Sequence, residues 1–225
     1  MRAESLSKAH LDWHGLDGDR RCAFVRQRAN SGFPWLTGRE LPELLLYTPH
    51  FLHPDDPRQS PIVVTTPDGR RLPLEAPELL EELQRLCGEE IYLLKLGRGT
   101  YDSQVLSLMS TASIAALGAS ADMELQSGRF RQNVIIETRD GRPFQEEEWL
   151  GRTLILGADD NGPRIHLTRR IKRCVMVNID PHTAARDARV LKTVAQTRDS
   201  FAGVYASVEQ PGIIRVGDPV RVAAS

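Results

Sequence analysis

The chain has 225 residues, of which 40% are hydrophobic and 26% are charged, with 29 Lys and Arg against 30 Asp and Glu. This composition predicts a globular protein of one large or two small domains, and the near-zero net charge argues against a dedicated nucleic-acid or anionic-membrane binder. No apolar run approaches the roughly 20 residues needed to cross a bilayer, the N-terminus lacks the apolar centre of a signal peptide, and three widely spaced cysteines fit a reduced, cytoplasmic protein.

Short β-type runs fill most of the chain and are bounded by Gly, Pro, Asp or Asn, a pattern typical of a β-barrel or sandwich. In order they are CAFVRQ, PIVVTT, RRLPL, EIYLLKL, SQVLSLM, QNVIIET, RTLILG, RIHLT, CVMVNI, GVYASV and IIRVGDPVRV. Asp68-Gly69, between two of the early runs, predicts a hairpin turn. We therefore expect a mainly β fold with a few short helices.

Three helices are predicted between the strands. The first spans 75–87, with leucines on one face, and ends at Gly88. The second has Ser110 or Thr111 as its N-cap and ends at Gly118. The third covers 187–197. A boundary between two β-rich halves is expected near 97–99.

The segment RRIKRC, at 169–174, places four cations directly before a lone cysteine. Alternation along a strand would put Arg170, Lys172 and Cys174 on one face. Two cations beside a thiol favour the thiolate, which is both a nucleophile and a metal ligand. The alternative is a solvated basic strand end followed by an inert core cysteine, and composition alone does not exclude it.

Two further segments carry arginines next to predicted strands. SGRFRQN would place Arg129, Arg131 and Asn133 on one strand face, where guanidinium forks and an amide suit a phosphate and a heterocycle edge. GLDGDRR is a glycine-rich turn that leads through Arg20 into a strand. By contrast, the histidine pairs at 10/14 and 50/53 have no third ligand nearby, and we interpret them as surface or loop histidines.

Six segments in this order resemble the MOSC family, named for the C-terminal domain of molybdenum cofactor sulfurases, together with its N-terminal β-barrel partner. They are GLDGDRR, FPWLTGRELPEL, DSQVLSLMSTASIAAL, RFRQNVIIE, RCVMVNIDPHT and PGIIRVGDPVRV. The resemblance runs from about residue 15 to 222 and is nearest to the amidoxime-reducing components, which reduce N-hydroxylated compounds. It implies two packed β-barrel-like modules, an N-terminal one at 1–97 and a MOSC domain at 98–225.

The resemblance also implies a molybdenum cofactor (molybdopterin) whose metal is bound by Cys174. The residues that it places around the pterin, phosphate and metal are Arg20, Asp102, Ser103, Gln104, Arg131, Asn133 and Arg173. A soft thiolate suits such a metal centre, fixed cations suit a phosphate, and Asp102 is a candidate for handling protons during a two-electron reduction. At the family level an association with pyridoxal phosphate is implied as well.

The sequence departs from the family pattern in three places. Relatives have an upstream strand with a Tyr-Pro-Val-Lys-Ser segment that helps to hold the phosphate, and this chain begins after that point. Gln132 stands where relatives have proline, and we expect little consequence. No ferredoxin-like cysteine cluster follows the last strand, so we expect electrons from a separate iron–sulfur or flavin protein.

The function expected from the resemblance is a cytoplasmic molybdenum-dependent oxidoreductase that acts on a small N-hydroxylated or related substrate, with no nucleic-acid or membrane partner. Two alternatives from other classes remain open. One is a carrier module that holds sulfur or the cofactor through Cys174 without turnover. The other is a non-catalytic remnant that lost cofactor binding together with the upstream strand.

Overall fold

The computed structural model describes residues 1–27, 33–96, 99 and 103–224, and within them strands predominate over helices. This confirms the expected mainly β fold. The strands are β1 (Lys8–Asp12), β2 (Gly15–Leu16), β3 (Cys22–Arg26), β4 (Thr48–Phe51), β5 (Ile62–Thr65), β6 (Arg71–Pro73), β7 (Ile91–Lys95), β8 (Leu106–Ser110), β9 (Val134–Ile136), β10 (Thr153–Leu156), β11 (Arg164–Lys172), β12 (Phe201–Gln210), β13 (Gly212–Arg215) and β14 (Val220–Val222). The α-helices are α1 (Pro77–Cys87), α2 (Thr111–Ala121), α3 (Gln145–Glu148) and α4 (Arg189–Arg198), and single 3-10 turns cover Pro42–Leu46, Ser127–Arg129 and Val175–Asn178.

The chain divides into two compact units that do not follow a single cut in the sequence. The first comprises Met1–Glu4, Gly18–Thr100 and Ile179–Ala185, and the second comprises Ser5–Asp17, Tyr101–Asn178 and Arg186–Ser225. The division expected from the sequence, between 97 and 98, stays a prediction, and those two residues lie outside the described part of the chain.

The first unit contains two small antiparallel sheets. β3 pairs with β7, and β4, β5 and β6 form a meander in which the predicted hairpin connects β5 to β6. Gly69 has a φ of 86°, and the Thr66 amide donates to the Arg70 carbonyl at 2.9 Å, which closes the turn. Helix α1 buries Leu79 and Leu83 in the core of this unit and ends at Gly88, as predicted.

The second unit is built on a six-stranded sheet in the order β14-β10-β11-β12-β8-β9. Its neighbouring strands are antiparallel except for the parallel pair β8 and β9. A separate three-stranded sheet joins β13, β1 and β2. One apolar core lies along the central strands and includes Leu108, Leu167 and Val204, while a second packs α2 and α4 against β8 and β12.

The second helix differs from its prediction at one end. Ser110 is the N-cap and accepts a hydrogen bond from the Ser113 amide at 3.1 Å, as expected. The helix does not end at Gly118 but continues to Ala121, and Asp122 ends it with a φ of 52°. Gly118 is required for packing instead, since an added Cβ would lie 2.6 Å from the Met123 carbonyl oxygen.

Within the described ranges, no helix combines the length and the apolar character that crossing a bilayer requires.

Candidate functional site

The lone cysteine of the basic segment lies just beyond the end of a strand. β11 ends at Lys172, and Cys174 occupies the short connection before the 3-10 turn Val175–Asn178. Its side chain is exposed and forms no disulfide. The predicted CVMVNI strand is therefore wrong, and the thiol faces the surface rather than the core.

A β-bulge explains why simple strand alternation fails in this segment. Arg170 pairs with Val204 and Lys172 with Phe201, so the two residues Ala202 and Gly203 oppose the single Ile171. Gly203 has a φ of 74°, which glycine adopts at little cost. Bulges interrupt the ladder and redirect nearby side chains. The predicted common face of Arg170, Lys172 and Cys174 does not form.

At the bulge, the Ala202 carbonyl oxygen accepts a hydrogen bond from Arg173. The Nε of Arg173 donates to Ala202 O at 2.7 Å, and its Nη1 donates to Phe130 O at 2.9 Å. Burial lowers the pKa of Arg173 to about 10, and nearby Tyr205 and Cys174 act in the opposite direction by favouring the charged form. Arg173 therefore lies close enough to Cys174 for the two groups to interact electrostatically.

The other cations of the cluster differ in their surroundings. Arg170 stacks over the Phe201 ring at 4.3 Å and lies 3.8 Å from Glu147 Oε2. Burial raises the pKa of Glu147, against the opposing effect of Arg198 and Arg170. Lys172 is exposed. The cluster is thus a set of individually placed cations rather than a uniform basic face.

The segment that contains Arg131 and Asn133 is not one strand face. Arg129 belongs to a 3-10 turn and is buried, with Nη1 donating to Asn178 O at 3.2 Å, and Arg131 has a φ of 53°. Only at Val134 does β9 begin. The predicted alternation is wrong here because the backbone turns at Arg131, and Arg129 supports the turn that follows Cys174.

Asn133 is fixed by contacts with β8. Its Oδ1 accepts from the Ser107 amide at 3.1 Å and from Ser107 Oγ at 2.9 Å. The side-chain oxygen that was expected to bind a heterocycle edge is thus engaged by the protein itself.

The predicted residues before β8 are attached to β11. Ser103 Oγ accepts a hydrogen bond from Arg169, whose guanidinium lies 5.2 Å from the Tyr205 ring centroid. Gln104 Oε1 accepts from Thr168 Oγ1 at 2.5 Å. These contacts bring Ser103 and Gln104 to the same strand that precedes Cys174.

Two further site residues were predicted, Arg20 and Asp102. Arg20 belongs to the first unit, where it lies in the turn before β3 with a φ of 51° and pairs with Asp19. The chain turns at 17–20 as predicted, but Gly15 and Leu16, which the prediction placed in the same turn, form β2. Asp102 lies outside the described residues.

The polar atoms near Cys174 fit a bound polar group. Among the described residues, Arg173 Nη2 and both amide atoms of Gln132 are buried without a hydrogen-bond partner. Buried polar atoms in native proteins almost always have partners, so these orphaned atoms mark a place where the packing around the bulge is polar and incompletely bonded. The exposed thiol, with the fixed Arg173 and the exposed Lys172 beside it, suits an anionic cofactor with a soft metal such as the molybdenum cofactor, and Cys174 is the residue that would bind the metal.

Sequence reasoning missed Gln132 and Gly203. A glycine inside the strand-like run FAGVYASV is a signal for a bulge or close backbone approach, and it would have identified Gly203. No local signal distinguishes Gln132 from an ordinary surface glutamine, since the neighbour of its amide, Gly203, is distant in the sequence.

Groups of three or more His, Cys, Asp or Glu side chains able to hold a metal ion do not occur in the described part of the chain. The two histidine pairs have other contacts there: His10 Nδ1 lies 2.9 Å from Asp17, and His50 Nδ1 lies 3.4 Å from Glu4.

Comparison with known proteins gives this geometry a context. The chain is 27% identical over 132 residues to mitochondrial amidoxime reducing component 2 of Macaca fascicularis, and 26% identical over 132 residues to human mitochondrial amidoxime-reducing component 1. Each alignment covers 53% of this chain and 37% of the relative, so the chain spans well under half the length of these proteins.

Structural comparison supports the fold. The YuaD protein from Bacillus subtilis matches with a TM-score of 0.51 at 11% sequence identity, and the match covers 97% of this chain and 86% of that one. A family model described as MOSC domain matches residues 96–221, more than half of the chain and the part that contains Cys174. MOSC domains are associated with the molybdenum cofactor. The chain belongs to the MOSC domain family.

Proposed function

We propose that this protein binds a molybdenum cofactor through Cys174 and acts as an oxidoreductase on N-hydroxylated or related small molecules. The observation that carries the proposal is the exposed Cys174 thiol next to the half-buried Arg173, which two backbone carbonyls hold in place, within the segment matched by the family model. The similarity to proteins named amidoxime-reducing components supports the substrate class.

The proposed reaction removes one oxygen from nitrogen. An N-hydroxylated substrate takes up two electrons and two protons, the N–O bond breaks, and the products are the N–H compound and water. When bound, the cofactor would supply the two-electron redox chemistry. A separate iron–sulfur or flavin protein would deliver the electrons.

The chain's own residues have binding and electrostatic roles in this proposal. Cys174 would hold the metal as a thiolate, which suits a soft, thiophilic centre. Arg173 would stabilise the thiolate charge from its fixed position. Arg20 would bind the phosphate, and Arg131 and Asn133 would contact the pterin.

The residues before β8 complete the proposed site. Ser103 and Gln104 would lie near the pterin and the metal, joined to β11 by Arg169 and Thr168. Asp102 would move a proton toward the oxygen that leaves as water. An unchanged turnover rate in Asp102→Asn with the cofactor retained would remove Asp102 from this role.

Metal analysis tests the proposal. Protein purified from a host that synthesises the cofactor should contain about one molybdenum atom per chain, and Cys174→Ser should lose most of it because a hydroxyl is a poor ligand for a soft metal. Cys87→Ser is the matched control, since Cys87 is half-buried in α1, packs against the core of the first unit and hydrogen-bonds to the Gln84 and Glu89 carbonyls, bonds that a serine hydroxyl can also form.

The result also separates the alternatives. Equal molybdenum in Cys174→Ser and the unsubstituted protein would contradict the ligand role. A metal-free protein with labile sulfur on Cys174 would support a carrier, which the exposure of that thiol permits. Neither metal nor sulfur would support a remnant without catalytic function.

A further inference from the structure

A cavity in the second unit lies between helix α2 and the segment that follows it. Its volume is about 400 Å³, within the range of about 300–1,000 Å³ that is typical of small-molecule sites. The helix contributes residues between Thr111 and Gly118, and the segment contributes residues between Met123 and Ser127. None of the lining residues is assigned to the molybdenum cofactor by the proposed function, so a ligand held here would occupy a separate site.

Backbone contacts hold the two walls of the cavity together. Asp122 ends α2 with a φ of 52°, and the Met123 amide donates to Gly118 O at 3.0 Å. A Cβ added at Gly118 would lie 2.6 Å from Met123 O and 3.6 Å from Leu125 Cγ. The chain therefore passes close to the helix at Gly118, and the shape of the cavity does not depend on a ligand.

The floor of the cavity is apolar. Ile114 and Leu125 are buried in the core that packs α2 against α4, and Met123 packs against the same core. Ala115 and Gly118 have little or no side chain, which leaves space above this floor. A methionine thioether adapts to the shape of its neighbour and makes favourable contacts with aromatic rings. The floor therefore suits an apolar, aromatic body.

The polar side chains that line the cavity are a carboxylate and two hydroxyls. In the part of the chain that the structure describes, the side chains of Glu124, Thr111 and Ser127 form no hydrogen bond or ion pair, and the described lining contains no Lys, Arg or His. Glu124 also follows the C-terminus of α2, where the helix dipole favours positive charge. A positively charged ligand therefore fits this lining better than a negatively charged one.

We propose that this cavity binds a small organic cation, a protonated primary amine attached to an aromatic body. The ammonium group would donate charge-assisted hydrogen bonds to the Glu124 carboxylate, and the ring would cover Ile114 and Leu125. Because no residue of the proposed cofactor site takes part, binding here is independent of the proposed function.

Phenethylamine is the probe, and NMR titration of the full chain measures its binding. Saturable shifts of the amide signals of residues 111–127 are expected at millimolar concentrations of the amine. Phenylethanol has the same ring without the charge and should bind at least about threefold more weakly, since an exposed ion pair contributes modestly. Phenylacetate, which is an anion, should not bind. Absence of saturable phenethylamine binding, or equal affinities for the three compounds, would overturn the proposal.

Two substitutions separate the charge from the space. Glu124→Gln keeps the shape and removes the charge, so the affinity for phenethylamine should fall at least about threefold while that for phenylethanol stays unchanged. Glu137→Gln is the matched control, because Glu137 is an exposed carboxylate of the same unit outside the cavity. An equal loss in both variants would show unspecific attraction to surface charge and would contradict the proposal.

The second substitution fills the cavity. Ala115→Leu introduces a larger side chain at an exposed position of α2 where leucine is a good helix former, so the protein should stay folded and lose the binding of both compounds. Ala119→Leu, at an exposed position of the same helix outside the lining, should bind as the unsubstituted protein does. Unchanged binding in Ala115→Leu would exclude this cavity as the site and leave the proposed function intact.

Discussion

Two buried polar clusters in the second unit differ in how completely their hydrogen bonds are formed. Glu146 is fully buried on α3, and its carboxyl oxygens accept from the Ser110 amide at 3.3 Å and from Ser113 Oγ at 3.0 Å. By contrast, Gln132 and Arg173 leave three buried atoms without partners among the described residues. Both clusters lie at the edge of the core that contains α2.

The difference predicts that the two clusters contribute unequally to stability. Glu146 connects the N-terminus of α2 to α3, and its bonds are complete within the protein. The cluster around Gly203 is incomplete in the same protein, and its Arg173 directly precedes Cys174, whose side chain is exposed. Removing a side chain from the completed cluster should therefore cost more stability than removing one from the incomplete cluster.

The largest stability effect is expected at the completed cluster. Glu146→Ala leaves the Ser110 amide without its side-chain acceptor and opens a cavity, so it should lower the free energy of unfolding by about 3 kcal/mol in urea titrations. Glu148→Ala on the same helix is the control. Its exposed pair with Arg142, at 2.6 Å, should contribute less than about 1 kcal/mol. Equal losses of unfolding free energy in Glu146→Ala and Glu148→Ala would contradict the comparison between the two clusters.

A smaller loss is expected at the bulge. Gly203→Ala forces a left-handed backbone on alanine and places its Cβ 2.9 Å from Leu108 O, so we expect a loss of about 2–3 kcal/mol. Gly151→Ala has nearly the same φ, 76°, but nothing lies within 4 Å of its added Cβ, and it should cost about 1 kcal/mol. The difference in thermal unfolding between Gly203→Ala and Gly151→Ala measures the cost of the close contact at Gly203. Equal stability of the two variants would exclude close packing there.

The smallest difference in stability is expected between substitutions of the two adjacent amide side chains, Asn133 and Gln132, in cofactor-free protein. Asn133→Ala deprives Ser107 of an acceptor and should lower the free energy of unfolding by about 1–2 kcal/mol. Gln132→Ala removes atoms that have no partner, and the change should stay within about 0.5 kcal/mol or be stabilising. A larger loss at Gln132 than at Asn133, measured by chemical denaturation, would show that Gln132 is part of the core.

The sequence predicted correctly those helices and turns that depend on residues adjacent in the chain. Helix α1 begins at Pro77 and ends at Gly88, and the Asp68-Gly69 turn forms, because the residues that favour each structure are adjacent in the chain. The β-rich pattern and the order of six short segments were enough to indicate the family that the comparison confirms.

The details of the site depend on contacts distant in sequence. The bulge at Ala202 and Gly203 sets the position of Arg173, and the turn at Arg131 sets that of Asn133. The predicted alternation of side chains around Cys174 and around Arg129 was wrong because the bulge and the turn interrupt the strands. The site residues themselves stay predictions, since hydrogen bonds and burial describe their surroundings but not their ligand.

The central claim is that the Cys174 thiolate binds molybdenum, and mass spectrometry of iodoacetamide-treated protein tests it most directly. A thiolate held by a metal is not available as a nucleophile. Cys174 should therefore resist alkylation in molybdenum-loaded protein and react readily once the cofactor is removed, while Cys87 reacts alike in both. Equal alkylation of Cys174 in the loaded and cofactor-free protein would contradict the claim.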